Sequence, residues 1–181
     1  MQRSASLATG WLHFPALKPI KLYWEAYGGW SEFLKSIYLW LAFAFTVVTY
    51  PVWIKLDNDG NRVWASMPTS ILPNLLGFSM GGMAIMLAFA GSKIFTYLSE
   101  EGKKQSYFVK IVASFYHFIL VQTLAIFMGI FCQAYAWVGF NFLGYWAMCY
   151  ALLVAPATAA QLFNTARIVN TAASIGKNDA E

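Results

Sequence analysis

The sequence predicts an all-α integral membrane protein, a four-transmembrane-helix bundle preceded by an N-terminal interfacial arm. Two observations carry this. Hydrophobic residues make up 59% of the chain and charged residues only 11%, whereas soluble domains are about 25% charged. The few charges also leave three long gaps: residues 36–54, 63–92 and 111–166 contain no Asp, Glu, Lys or Arg. A crossing needs roughly 20 apolar residues at about 1.5 Å each. The first gap fits one helix, the second one helix with an approach segment, and the third two helices folded back on each other. A transmembrane barrel would read as alternating segments of about 10 residues. Runs such as Phe43-Ala44-Phe45-Thr46-Val47-Val48 are continuously apolar instead.

The arm covers residues 1–35. Pro15 and Pro19 interrupt its start, and no clean apolar stretch follows Arg3 to make a signal peptide. From Leu22 onward, Leu22, Ala26, Trp30, Phe33, Leu34 and Ile37 fall at helical spacing, opposite Lys21, Glu25, Glu32 and Lys35. That pattern predicts an amphipathic helix at a membrane surface, weakened by Gly28-Gly29. Tyr23, Trp24, Tyr27 and Trp30 are side chains of the kind that dominate protein interfaces. They are candidate contacts for a cytosolic effector protein, and equally for membrane lipid.

The spans are expected at about 36–55, 71–97, 108–135 and 142–166, with an outer hairpin loop at 56–66 and a tail at 167–181. In the loop, Asp59-Gly60 is a turn signal. Asp57-Asn58-Asp59-Gly60 superficially resembles a calcium loop, but the glycine is fourth rather than sixth and Pro68 stands where the bidentate Glu belongs. No metal ion or cofactor is expected. The fold-back between the last two spans is expected at Val138-Gly139-Phe140-Asn141. Cys132 and Cys149 should be buried thiols at different depths.

Basic residues fix an orientation. Ten of the twelve Lys and Arg lie in the arm, the loop after the second span and the tail; only Lys55 and Arg62 lie on the other side. The positive-inside rule then puts both termini in the cytoplasm, as for a bacterial inner (plasma) membrane protein. The net charge of +4 serves orientation and contact with anionic lipid, with no direct nucleic-acid role. Trp40, Trp53, Trp64, Trp137 and Trp146 near the span ends suit headgroup-level anchors.

In the second span, Pro73 is expected in the first helical turn. Gly77, Gly81, Ala84, Ala88 and Gly91 then recur at steps of three and four, and the fourth span repeats the theme with Ala151, Ala155 and Ala159. Small-residue stripes let helix backbones approach closely, within a subunit or between subunits of a homo-oligomer. Gly77-Phe78-Ser79-Met80-Gly81 also matches the nucleophile elbow of serine hydrolases. That motif needs a strand–turn–helix setting and an acid–His pair, so no catalytic residue is assigned and no enzyme activity is expected.

His117 is the one ionisable group among His, Asp, Glu, Lys and Arg between 111 and 166. It reads as a neutral histidine bonded to a neighbouring helix, or as a proton sensor. Gln122, Thr123, Gln161 and Asn164 must face protein or water; they are interhelical glue, or with His117 the lining of a pore.

The stretch Leu72-Pro73-Asn74-Leu75-Leu76-Gly77-Phe78-Ser79-Met80-Gly81-Gly82-Met83-Ala84-Ile85 resembles a segment of small bacterial membrane proteins, several of them from defence loci. The overall plan is similar to the membrane subunit of the Kiwa anti-phage system. The resemblance implies an inner-membrane homo-oligomer that recruits a cytosolic effector, a sensor or scaffold in antiviral defence; it carries over no individual functional residue. The alternative from the residues alone is a small homo-oligomeric pore that depolarises the membrane.

Overall fold

The computed structural model describes residues 18–88, 95, 98–103, 106–135 and 137–178, with the backbone alone at 101 and 172–178. Seven α-helices are described: α1 Lys18–Tyr27, α2 Gly29–Lys35, α3 Ile37–Val48, α4 Tyr50–Ile54, α5 Met67–Ala88, α6 Tyr107–Ala134 and α7 Val138–Asn178. Short 3₁₀ turns stand at Val63–Ser66 and Glu100–Gly102. Among the described residues there is no strand, only an isolated bridge between Leu56 and Arg62. Three segments are long and apolar enough to cross a membrane: Val63–Ala88, Tyr107–Ala134 and Val138–Thr171. A fourth arises if α2 and α3, bent by 49°, are taken as one broken span.

The single helix expected over 36–55 is instead broken into two. Pro51 lacks the N–H that would reach the carbonyl of Val47, and its ring crowds that turn. α3 therefore stops at Val48 and α4 restarts after Thr49. The exposed acceptors are taken up locally. The Trp53 indole donates to the Thr46 carbonyl at 2.9 Å, and the Thr49 hydroxyl donates to the Phe45 carbonyl at 2.6 Å.

α5 starts earlier than expected, at Met67, so Pro73 lies inside the helix and Pro68 takes the first turn. α7 also starts earlier. α6 ends at Ala134, and Asn141 sits in the first turn of α7, donating its side-chain amide to the Trp137 carbonyl at 2.8 Å. α7 then runs 41 residues with Pro156 inside, about 62 Å at 1.5 Å per residue. The tail from Arg167 to Asn178 is thus its continuation, with good helix formers such as Arg167, Ala172 and Ala173.

α5, α6 and α7 pack side by side, α6 antiparallel to the other two, with α3 against α7 and α1 against α6. The core forms in tiers. Trp64, Cys132, Tyr145 and Trp53 fill the end near the 56–66 loop; Leu72, Ala125 and Ala151 fill the middle; Met86, Ile111 and Phe115 fill the arm end. Three glycines make this packing. A Cβ on Gly129 would stand 2.7 Å from Pro68 Cβ, one on Gly82 2.7 Å from Phe115, and one on Gly144 2.8 Å from Cys132 Sγ. Cys132 and Cys149 are buried free thiols.

The loop is a tight turn. Asp57 Oδ1 accepts from the backbone N–H groups of Asp59 (3.0 Å) and Asn61 (2.8 Å), and Gly60 adopts φ 81°. The arm breaks into α1 and α2 at Gly28 and Gly29, with φ 103° and 66°, a region glycine enters without steric penalty.

Candidate functional site

Pieces far apart in sequence converge on His117. α6 carries the imidazole inside the bundle, 3% exposed. Tyr23 of α1 meets Nδ1 at 2.8 Å, and Tyr150 of α7 meets Nε2 at 3.0 Å. The Tyr27 ring stacks on the imidazole with centroids 4.2 Å apart and planes at 19°. Phe33 of α2 closes another side edge-on at 5.9 Å. Four helices thus meet on one side chain, beside the Gly28-Gly29 break that frees α1 to turn onto α6.

A neutral imidazole has one N–H and one bare nitrogen. One tyrosine hydroxyl therefore donates to the ring and the other accepts from it. Burial, with Tyr27 and Tyr116 nearby, pushes Tyr23 up to about 12, so its hydroxyl keeps its proton at neutral pH. Burial likewise raises Tyr27. The arrangement can clamp the arm to the bundle and pass a hydrogen-bond polarity from α1 to α7. Among the described residues, no group of three His, Cys, Asp or Glu is placed to hold a metal ion.

The other polar residues do not join this hub. Gln122 is wholly buried, and neither end of its amide has a hydrogen-bond partner. Ser79, also wholly buried, has an unpartnered hydroxyl. Gln161 leaves its Oε1 buried and unpartnered, Thr123 donates to the Ile119 carbonyl at 2.8 Å, and Asn164 is exposed. Of the arm aromatics, Tyr23, Trp24 and Tyr27 are half-buried, while Trp30 is 67% exposed. Tyr23 and Tyr27 spend their faces on His117, which leaves Trp30 as the freest of the four.

The small-residue stripes separate. Gly77, Gly81, Ala84 and Ala88 are exposed, and nothing lies within 4 Å of a Cβ built on either glycine. Gly91 is outside the described residues. The inward face of α5 is instead Leu72, Ser79, Gly82 and Met86. On α7, Ala151 is buried against Leu72 and Ala125, Ala155 is half-buried and Ala159 exposed.

Sequence reasoning missed Tyr150, which no spacing links to His117. It also missed Asn74, exposed on α5 with no side-chain hydrogen bond to any described residue. A signal for Asn74 was present: it precedes Gly77 by three residues, in step with the stripe. No family model matches the chain, and neither does any curated protein or solved structure.

Proposed function

We propose that the chain is a non-enzymatic protein of the bacterial inner membrane that crosses it four times, the α2–α3 pair making the first crossing, with both termini in the cytoplasm. In this reading it assembles as a homo-oligomer and acts as a sensor or scaffold for a cytosolic effector, in anti-phage defence if the resemblance of the Leu72–Ile85 segment holds. The observation that carries the oligomer is the face Gly77, Gly81, Ala84 and Ala88, small, exposed and unused inside the subunit. In hydrocarbon such a face gains by backbone approach to another helix. The observation that favours a scaffold over an enzyme is His117, whose two ring nitrogens are both engaged by tyrosines that tie the arm to the bundle. α1 and the extension of α7 past Arg167 would form the cytoplasmic face offered to a partner.

A second reading, a small pore, is favoured by Gln122. An unpaired buried amide costs about 1–3 kcal/mol, and a wet path inside the bundle would relieve that cost.

One set of preparations separates the two. Under the scaffold reading, the wild type recovers a cytosolic protein from its native host and proteoliposomes stay sealed to ions. Trp24→Ala with Trp30→Ala abolishes that recovery without preventing membrane insertion. Gln122→Met leaves recovery intact and raises thermal stability by about 1–3 kcal/mol, because an unsatisfied amide is replaced by an apolar chain of similar length. Ion flux from the wild type, lost in Gln122→Met, together with no co-purifying protein, would make the pore reading correct.

A further inference from the structure

On α5 a polar amide stands in line with a small-residue face. Asn74, Gly77, Gly81, Ala84 and Ala88 follow one another at steps of three, four, three and four. That is the 3.5-residue period of a left-handed helix pair. All five are exposed, and Asn74 makes no side-chain hydrogen bond to any described residue. Its neighbours on the same helix behave otherwise: Thr69 and Ser70 donate back to the Ser66 carbonyl at 2.8 and 2.9 Å.

Depth makes this amide informative. Asn74 lies eleven residues into the Val63–Ala88 span, about 16 Å from its start. The hydrocarbon layer is about 30 Å thick; with that segment as the crossing, Asn74 lies inside it. Lys and Arg reach the interface from such depths along long stems; asparagine has no stem. An amide left there loses both its donors and its acceptor to a medium that offers neither. The partner must therefore come from another helix, approaching the face that Gly77 and Gly81 keep low.

We propose that Asn74 sets the register of a contact between α5 helices of two copies of this chain. This rests on the membrane and oligomer reading above and adds the residue that decides the contact. A second copy is the occupant because an amide is self-complementary. Each carries donors and an acceptor, and a two-fold axis normal to the membrane brings identical positions together. The Asn74 carboxamides then bond to each other across the axis, while Gly77 and Gly81 supply the close approach. A polar residue at one position of a 3.5-period seam specifies register and partner number in this way.

The test is self-association of the full chain in phosphatidylglycerol–phosphatidylethanolamine vesicles, read by energy transfer between separately labelled copies over a dilution series in lipid. Asn74→Val is expected to weaken association by about threefold to tenfold, the range of interhelical side-chain bonds in membranes. Asn74→Gln, which keeps the amide, should recover most of it. Thermal unfolding of both variants should match the wild type, since the exposed Asn74 side chain makes no hydrogen bond to any described residue. Unchanged association in Asn74→Val, or equal loss in both variants, overturns the role of the amide. If Gly81→Leu also associates normally, or the wild type does not associate, the oligomer reading itself fails; if Gly81→Leu dissociates while Asn74→Val does not, only the register role fails.

Discussion

Adding one methyl group at Gly129 is expected to cost the bundle about 1–3 kcal/mol, while adding one at Gly77 is expected to cost nothing measurable. At Gly129 the new Cβ would stand 2.7 Å from Pro68 Cβ and 2.8 Å from Pro68 Cγ. The proline ring is rigid and is itself buried in the first turn of α5, so it cannot swing aside as a flexible chain end would. α5 must move off α6, and the tier at Trp64, Ala65 and Cys132 opens with it. At Gly77 no atom lies within 4 Å. There alanine gains about 0.8–1.0 kcal/mol of helix propensity, with no clash inside the subunit to offset it. Thermal unfolding of Gly129→Ala and Gly77→Ala in mild detergent, at dilutions that favour the single subunit, gives the comparison. Equal stability of the two variants would mean that α5 and α6 do not cross at Pro68 and Gly129.

His117→Leu is expected to release the arm. The substitution removes the acceptor and donor that hold Tyr23 and Tyr150 at 2.8 and 3.0 Å, and it removes the ring under Tyr27. Each buried hydroxyl left unpaired costs about 1–3 kcal/mol. α1 can escape to water, because Gly28 and Gly29 give it a hinge; Tyr150, in the core, cannot. A docking loss of about 1.4 kcal/mol already raises the open population tenfold. Trypsin should therefore cut after Lys21 and Lys35 about tenfold faster or more, with the cores of α6 and α7 still protected. The surface ion pairs Lys21–Glu25 and Glu32–Lys35, each 3.9 Å and well exposed, lie within α1 and within α2 and do not tie the arm to the bundle. Wild-type cleavage rates in His117→Leu would show that the clamp is not on the histidine.

Helix identity was legible because it is written locally. The charge-free gaps set the long segments, and Asp59-Gly60 set the turn. The breaks were harder. Pro51 lies inside an apolar gap that counts as one span, and only its missing N–H splits that span into α3 and α4. The start of α5 depended on which of Pro68 and Pro73 took the first turn, and burial of Pro68 against Gly129 decided it. The direction of the glycine face was not legible: Gly81 and Gly82 are adjacent, point about 100° apart, and only packing selects Gly82 to face Phe115. The hub was least legible, since Tyr23 and His117 stand 94 positions apart and no periodicity relates them. Gln122, Gln161 and Asn164 looked equivalent as amides in apolar sequence, yet one is wholly buried, one half-buried and one exposed.

Copies of this chain are proposed to meet in the membrane through one face of α5. Single cysteines placed along α5, in a background with Cys132 and Cys149 replaced by alanine, test it by oxidative cross-linking in native membranes. Disulfide-linked dimers are expected from Asn74→Cys, Gly77→Cys, Gly81→Cys and Ala84→Cys, and none from Leu72→Cys, Ser79→Cys or Met86→Cys. Cross-links absent throughout, or strongest at Phe78→Cys, Met80→Cys and Leu87→Cys, would contradict it.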